Sequence, residues 1–450
     1  MTRVLLAGGC PLPVENQART YSVGMRTWQF AAPLLADGHE VCLVASRLMY
    51  EYPAGTPDVT KTEDGGLTYY SVTNQLFAGS DFVQRICDDF QPDCIVGANS
   101  FPSYVAAGLR SDKPLWADLN GHLMTEAQTS AAHFDDDKYL LHHLNFEAAI
   151  LRRADAISVT AVPQLYATLG EMGLLGRLNK RTVGHEFIHC IPNALEPVAY
   201  QPAQPALRGV SVEQDDFVVL WSGGYNTWAD VDTLFAGLEK AMSQRTNIRF
   251  VSTGGQIDGH DERTYARFQE LVQASPYASR FILKGWLPRQ QLPDHYLESD
   301  VAVVIDKNTL EPVMGTRTRI YDWSRAALPT LATNLCDLIQ AMSRQGVCYT
   351  VPTGDPETLA AALLYLAEYR QELKETGQRA RQYLFENFTL EKTTEPLRSW
   401  VQAPGHAPDW GVGSEELYRL MGETLTGGLP RLTHPWLAAW RRLKQGFTRL

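Results

Sequence analysis

Short apolar runs recur along the chain, each followed by a glycine-rich or polar turn and then by a segment of helical periodicity. This pattern predicts strands at residues 3–7, 40–45, 67–72, 92–97, 114–118, 156–160 and 186–191. Helices are predicted between them at 25–36, 81–90, 103–109 and 140–153. Pro197, Pro202 and Pro205 interrupt the alternation, which then resumes. The second series has strands at 217–221, 247–253, 280–284, 301–305 and 330–333, with helices at 230–242, 261–274, 293–299 and 356–388. The strands are continuously apolar instead of alternating, as expected of parallel sheets covered on both faces by right-handed crossover helices. The predicted fold class is therefore α/β, with two tandem Rossmann-like doubly wound domains facing a cleft. The expected boundaries are 1–200, a linker at 201–214, a second domain at 215–400 and an extension at 401–450.

Composition narrows the function. A net charge of −11 argues against a nucleic-acid partner, which would need a basic face. Seven cysteines without a CxxC pair suggest reduced thiols and a cytoplasmic location. No apolar run reaches the length of a membrane span. In the extension, Trp436, Trp440, Leu443 and Phe447 share one helical face beside Arg441, Arg442 and Lys444. Such a stripe packs on the protein's own body or makes peripheral contact with a membrane surface or a partner.

Three motifs resemble sites but read otherwise. The apolar stretch before Cys10 is too short for a lipoprotein signal core. His185 and His189 form an HExxH, but in a predicted strand residues four apart lie ~13 Å from each other, too far to share a zinc ion. Asp230 and Asp232 open a predicted helix, where capping accounts for them. No metal is expected from these motifs.

Ligands of doubly wound sheets bind outside the carboxyl ends of the strands. Gly8–Gly9, residues 120–122, Gly223–Gly224, Gly254–Gly255 and Gly315 all fall at such ends. Around Gly315 and Thr316 a phosphate can approach the backbone, and Arg317 and Arg319 add two fixed cations. Two residues apart on a helical turn, these arginines point about 200° from each other. One is expected to face the ligand and the other to pair with Asp322 or Glu311. Asp322 is placed to accept hydrogen bonds from sugar hydroxyls, so the stretch suits a diphosphate joined to a ribose. An ordinary surface helix with two exposed arginines is the competing reading.

Five segments carry a resemblance that covers most of the chain. Residues 24–41 hold a first helix leading into Gly38-His-Glu-Val41, and residues 192–196 read Pro-Asn-Ala-Leu-Glu. Gly285-Trp-Leu-Pro288 is followed by Tyr296-Leu-Glu-Ser-Asp-Val301, and Asp322 precedes Pro329 by seven positions. In this order the chain resembles the GT-B glycosyltransferases, family 4 in particular. The resemblance implies retaining transfer of a sugar from a nucleoside-diphosphate sugar, with no tightly bound cofactor. The first domain would bind a carbohydrate, lipid-linked or small-molecule acceptor, and the second the donor. Gly223, Gly224, Gly285, Trp286, Leu287, Glu311, Gly315, Thr316 and Asp322 would contact the donor. His122 and Asp118 would lie near the reacting sugar, with Glu126 and Glu147 as weaker candidates. Gly8, Gly9 and Arg26 would face the phosphate or acceptor from the first domain.

Departures from the family pattern matter as much. Asp322 stands where the second glutamate of the family's E-x7-E is expected, and Met314 where the first is, with Glu311 nearby. Gly224 and Ala229 occupy the positions of the arginine and lysine that usually hold the diphosphate. Arg317 and Arg319 are the expected replacements. The alternatives are a non-catalytic relative that binds nucleotide sugar and a sugar-nucleotide epimerase of similar fold.

Overall fold

Two parallel sheets arise where the continuous apolar runs predict them. The structure is a computed structural model and describes residues 1–15, 17, 21–47, 52–257 and 260–411. The amphipathic stripe at 436–447 lies outside the described residues.

In the first domain β1 (Arg3–Gly9), β2 (Glu40–Arg47), β3 (Val59–Asp64), β4 (Leu67–Thr73), β5 (Cys94–Gly97), β6 (Leu115–Leu119), β7 (Ala156–Val159) and β8 (Ile188–Cys190) form one sheet. Its order is β3-β4-β2-β1-β5-β6-β7-β8, and only β3 runs antiparallel to its neighbour. The second sheet contains β9 (Phe217–Ser222), β10 (Ile248–Thr253), β11 (Phe281–Leu283), β12 (Val301–Val304), β13 (Thr330–Thr333) and β14 (Tyr349–Val351). It is wholly parallel, in the order β11-β10-β9-β12-β13-β14. The order reverses direction at β9 and β12, which opens a crevice beyond the ends of these two strands. Each sheet is covered on both faces, with Leu5, Ile95 and Ile157 in one core and Val4, Val96 and Trp116 in another.

Two boundaries differ from the sequence expectation. Residues 201–214, read as a linker, are docked on the second domain. The Glu298 carboxylate accepts backbone N–H groups from Leu207 at 2.6 Å and Arg208 at 2.8 Å, and Leu207 is buried in that domain's core. The second domain also ends before residue 400. Helix Glu395–Gln402 returns to the first domain, where Leu397 and Val401 are fully buried among Leu6, Phe30 and Val96. Arg398 forms a two-pronged ion pair with Asp37 at 2.6 Å, and the Thr2 hydroxyl donates to the Val401 carbonyl. The chain thus passes between domains twice, and the passages adjoin. The Leu195 N–H donates to the Phe388 carbonyl at 2.9 Å, and Gln29 Nε2 reaches both the Pro192 carbonyl and Thr393 Oγ1.

All seven cysteines are free thiols. Among the described residues no helix is long and apolar enough to cross a membrane.

Candidate active site

At the end of β9 the backbone turns at Gly223, whose φ of +90° is a conformation that side chains rarely adopt. The neighbouring turn after β10 fits against it so closely that a Cβ on Gly254 would lie 1.8 Å from the Gly223 carbonyl oxygen. The Trp286 indole flanks this surface, donating to the Gln256 carbonyl at 2.8 Å. Gly285 before it again takes a positive φ. Three strand ends therefore present backbone and one flat aromatic ring to the crevice. Gly254→Ala is expected to cost roughly 1–3 kcal/mol by forcing these turns apart, read as a lower denaturation midpoint. Gly405→Ala, where a Cβ meets open space, serves as the control.

The two arginines divide sharply. Arg317 donates from Nε to Asp306 at 2.7 Å and from Nη2 to Glu311 at 2.9 Å, deep in the protein. Its charge is balanced twice over, and burial still pushes the Glu311 carboxyl above its usual range despite Arg317. Among the described residues, no carboxylate lies within ion-pair distance of Arg319. Its Nη2 donates to the Gly224 carbonyl at 3.2 Å, its guanidinium lies 4.8 Å from the centre of the Trp221 ring, and its buried Nη1 has no hydrogen-bond partner. Burial pulls its pKa down to about 10, partly offset by Asp306 and reinforced by Arg317. Arg319 is thus still charged at neutral pH, directed at the Gly223–Gly224 turn and short of an anion.

Gly315 departs from its predicted role. It joins two short helices, Leu310–Met314 and Arg319–Arg325, and its N–H is already bonded to the Glu311 carbonyl. Thr316 next to it is half-buried. Glu311 engages Arg317 with both oxygens, so it does not stand free for a sugar hydroxyl. Asp322 keeps 43% of its side chain exposed, with one oxygen accepting from the Tyr200 hydroxyl at 2.9 Å.

In the first domain the structure corrects several expectations. Arg26 and Asp118 are each 0% exposed and bonded to each other twice, at 2.6 and 3.0 Å. Asp118 also accepts from the Asn99 N–H and the Ser158 hydroxyl. The pair ties the first helix to β6 and is inaccessible to a substrate, so neither residue touches phosphate or sugar. Gly8 and Gly9 let that helix approach β1. A Cβ on Gly8 would come within 2.3 Å of Thr27 Cγ2, and the Gly9 N–H is taken by Thr27 Oγ1. Neither is left for a ligand. His122 caps helix Leu123–Phe134, with Nδ1 accepting from the Thr125 N–H at 3.3 Å and Nε2 lying 3.0 Å from Glu171. Both ring nitrogens are engaged within the protein. His185 and His189 do not converge, since His189 stacks on Trp116 while His185 faces the Asp155 carbonyl.

Residues 216–369 match the sequence family described as "Glycosyl transferases group 1". Sucrose-phosphate synthase from Thermosynechococcus elongatus superposes with a TM-score of 0.69 at 17% identity, covering 94% of this chain and 100% of the other. An α,α-trehalose-phosphate synthase (UDP-forming) from Burkholderia xenovorans, in complex with glucose-6-phosphate, does so with a TM-score of 0.62 at 9% identity, covering 89% and 99%. HepE of Anabaena, in complex with UDP-glucose, gives 0.60 at 14% identity, covering 90% and 100%. The chain has the GT-B fold, and its second domain matches a glycosyltransferase family. No curated protein matches it in sequence.

Sequence reasoning missed other residues of the crevice. Lys307 follows β12, and its ammonium donates to the Thr227 carbonyl at 2.8 Å across the switch point. Tyr296 and Ser222 share a hydrogen bond of 2.9 Å beneath the Gly223 turn. The position of Lys307 directly after an apolar strand was the available signal. Tyr296 stands in a segment that carries the family resemblance, but its pairing with Ser222, 74 residues earlier, had no sequence signal.

Proposed function

We propose that the enzyme transfers a sugar from a nucleoside-diphosphate sugar, a UDP-sugar in the first instance, to a hydroxyl of an acceptor held by the first domain. Retention at the anomeric carbon follows the resemblance to family 4. The observation that carries this reading is the unpaired Arg319 guanidinium over the Gly223–Gly224 turn. A half-buried cation without a counter-ion is costly, and an arriving diphosphate supplies the missing charge. Negative charge grows on the diphosphate as the bond to the sugar breaks, so a fixed donor there stabilises the transition state more than the bound donor. Trp286 and Leu287 offer the base a flat apolar surface, and the free oxygen of Asp322 suits the ribose. The complexes of structural relatives with UDP-glucose and with glucose-6-phosphate support a uridine donor and a phosphorylated-sugar acceptor as first choices.

A thermal-shift panel of nucleoside diphosphates tests the donor. The matching nucleotide at 100 times its dissociation constant stabilises the protein by ~2.7 kcal/mol, and UDP is expected to lead. Release of UDP from UDP-glucose, alone and with glucose-6-phosphate, then reads turnover. A protein unmoved by every diphosphate contradicts the reading. Asp322→Ala is expected to weaken the matching nucleotide by roughly 1.5–3 kcal/mol, the range for a lost charged hydrogen bond. Equal loss for a 2′,3′-dideoxy nucleotide would remove Asp322 from the ribose.

A further inference from the structure

Away from the crevice, unsatisfied buried charge is concentrated between helices Leu123–Phe134, Lys138–Arg153 and Val162–Leu174. His122, Glu147 and Glu171 converge there, with one ligand-type atom from each lying within 4.8 Å of the others. Glu147 is 2% exposed, and neither of its carboxylate oxygens has a hydrogen-bond partner. The second oxygen of Glu171 is likewise buried and unpartnered. Among the described residues no lysine or arginine forms an ion pair with either glutamate. Two facing carboxylates in a dry space repel each other unless a proton or a cation lies between them, and burial followed by Glu171 pushes the Glu147 carboxyl up to about 8.

The imidazole decides what kind of charge fits. Its Nδ1 accepts from the Thr125 N–H, so in the neutral ring the hydrogen sits on Nε2 and is donated to Glu171 Oε1. His122 therefore presents no lone pair to the cluster. It orients Glu171 from behind, as outer-shell groups orient metal-bound carboxylates. What remains open is three carboxylate oxygens, a set that favours hard cations. Glu171 keeps 24% of its side chain exposed, which provides a route from solvent.

We propose that Glu147 and Glu171 bind one divalent cation of the oxygen-preferring kind, magnesium or manganese, with water completing its shell and His122 positioning Glu171. The ion balances the two carboxylates and clamps the three helices together. Two of them, Leu123–Phe134 and Val162–Leu174, also pack on helix Leu310–Met314 of the second domain. The cation thus stiffens the wall that faces Glu311. This cluster is separate from the HExxH and from Asp230 and Asp232, and the family resemblance implies no tightly bound metal at it.

Manganese is the probe. Chelator-stripped full-length protein at about pH 8 is titrated with Mn²⁺ by calorimetry and by loss of the free-ion paramagnetic signal. One ion per chain is expected, with a rise in Tm. Glu147→Gln and Glu171→Gln should each weaken binding at least ~10-fold, and His122→Gln ~10–100-fold, as outer-shell changes do. Circular dichroism confirms that the near-isosteric variants fold. No stoichiometric Mn²⁺ in the parent, or equal affinity in Glu147→Gln, overturns the site. A parent that gains no stability from Mn²⁺ while metal-free Glu147→Gln melts higher would make the occupant a shared proton instead. Strong preference for Zn²⁺ over Mn²⁺ would move His122 into the inner shell and overturn the assignment made here.

Discussion

Arg319→Ala lowers turnover of the donor by ~10²–10³, with a smaller change in donor affinity, as for loss of one preorganised donor to a developing anion. The guanidinium is held by Trp221 and the Gly224 carbonyl before any ligand arrives. Little reorganisation therefore remains to be done as the diphosphate departs, and the effect falls on the rate. Arg319→Lys recovers only part of it, because an ammonium cannot reproduce the planar fork. The measurement is kcat beside donor affinity for the parent and both variants. Parental turnover in Arg319→Ala would transfer the role to another cation of the crevice, with Lys307 first in line.

Arg317→Ala gives the opposite result and acts on stability. It leaves Asp306 and Glu311 buried without their cation, a situation that costs about 3–5 kcal/mol. The sign of its pH dependence is fixed by those carboxylates. Burial already raises the Glu311 carboxyl, and without Arg317 it lies further above its unfolded value of about 4. The deficit is then largest near neutral pH and shrinks as Glu311 protonates on acidification. Urea unfolding at about pH 5 and about pH 8 checks this. A parental midpoint at both would show that the buried pair contributes nothing net.

This division between two arginines was half legible in the sequence, since their spacing on a helical turn sets them on different sides. Which one pairs depends on Asp306 and Glu311, eleven and six residues upstream, in a loop and a one-turn helix whose path no periodicity reveals. The same holds for Arg26, whose partner Asp118 lies 92 positions away. A helical arginine looks alike on paper whether it meets phosphate or a buried carboxylate. The strands fared better, because a parallel strand buried on both faces is written as an unbroken apolar run. β3 escaped notice for the converse reason. Its residues 60–64 are exposed and mostly polar, as an edge strand's often are. Helix Leu123–Phe134 escaped because its cap is a histidine instead of the usual Ser, Thr, Asp or Asn.

The two passages between domains have a mechanical consequence. Because residues 192–195 and 388–393 run side by side and are tied through Gln29, they act as a single hinge. A pair of adjoining strands resists shear but permits torsion about its own axis, so the domains swing along one arc. Along that arc the contacts at the rim must release. The Val162 N–H leaves Asp337, and Arg263 and Asp261 leave His133. Cutting the chain before helix Glu395–Gln402 would leave the 388–393 segment without its continuation into the first domain and uncover the core beneath Leu397 and Val401.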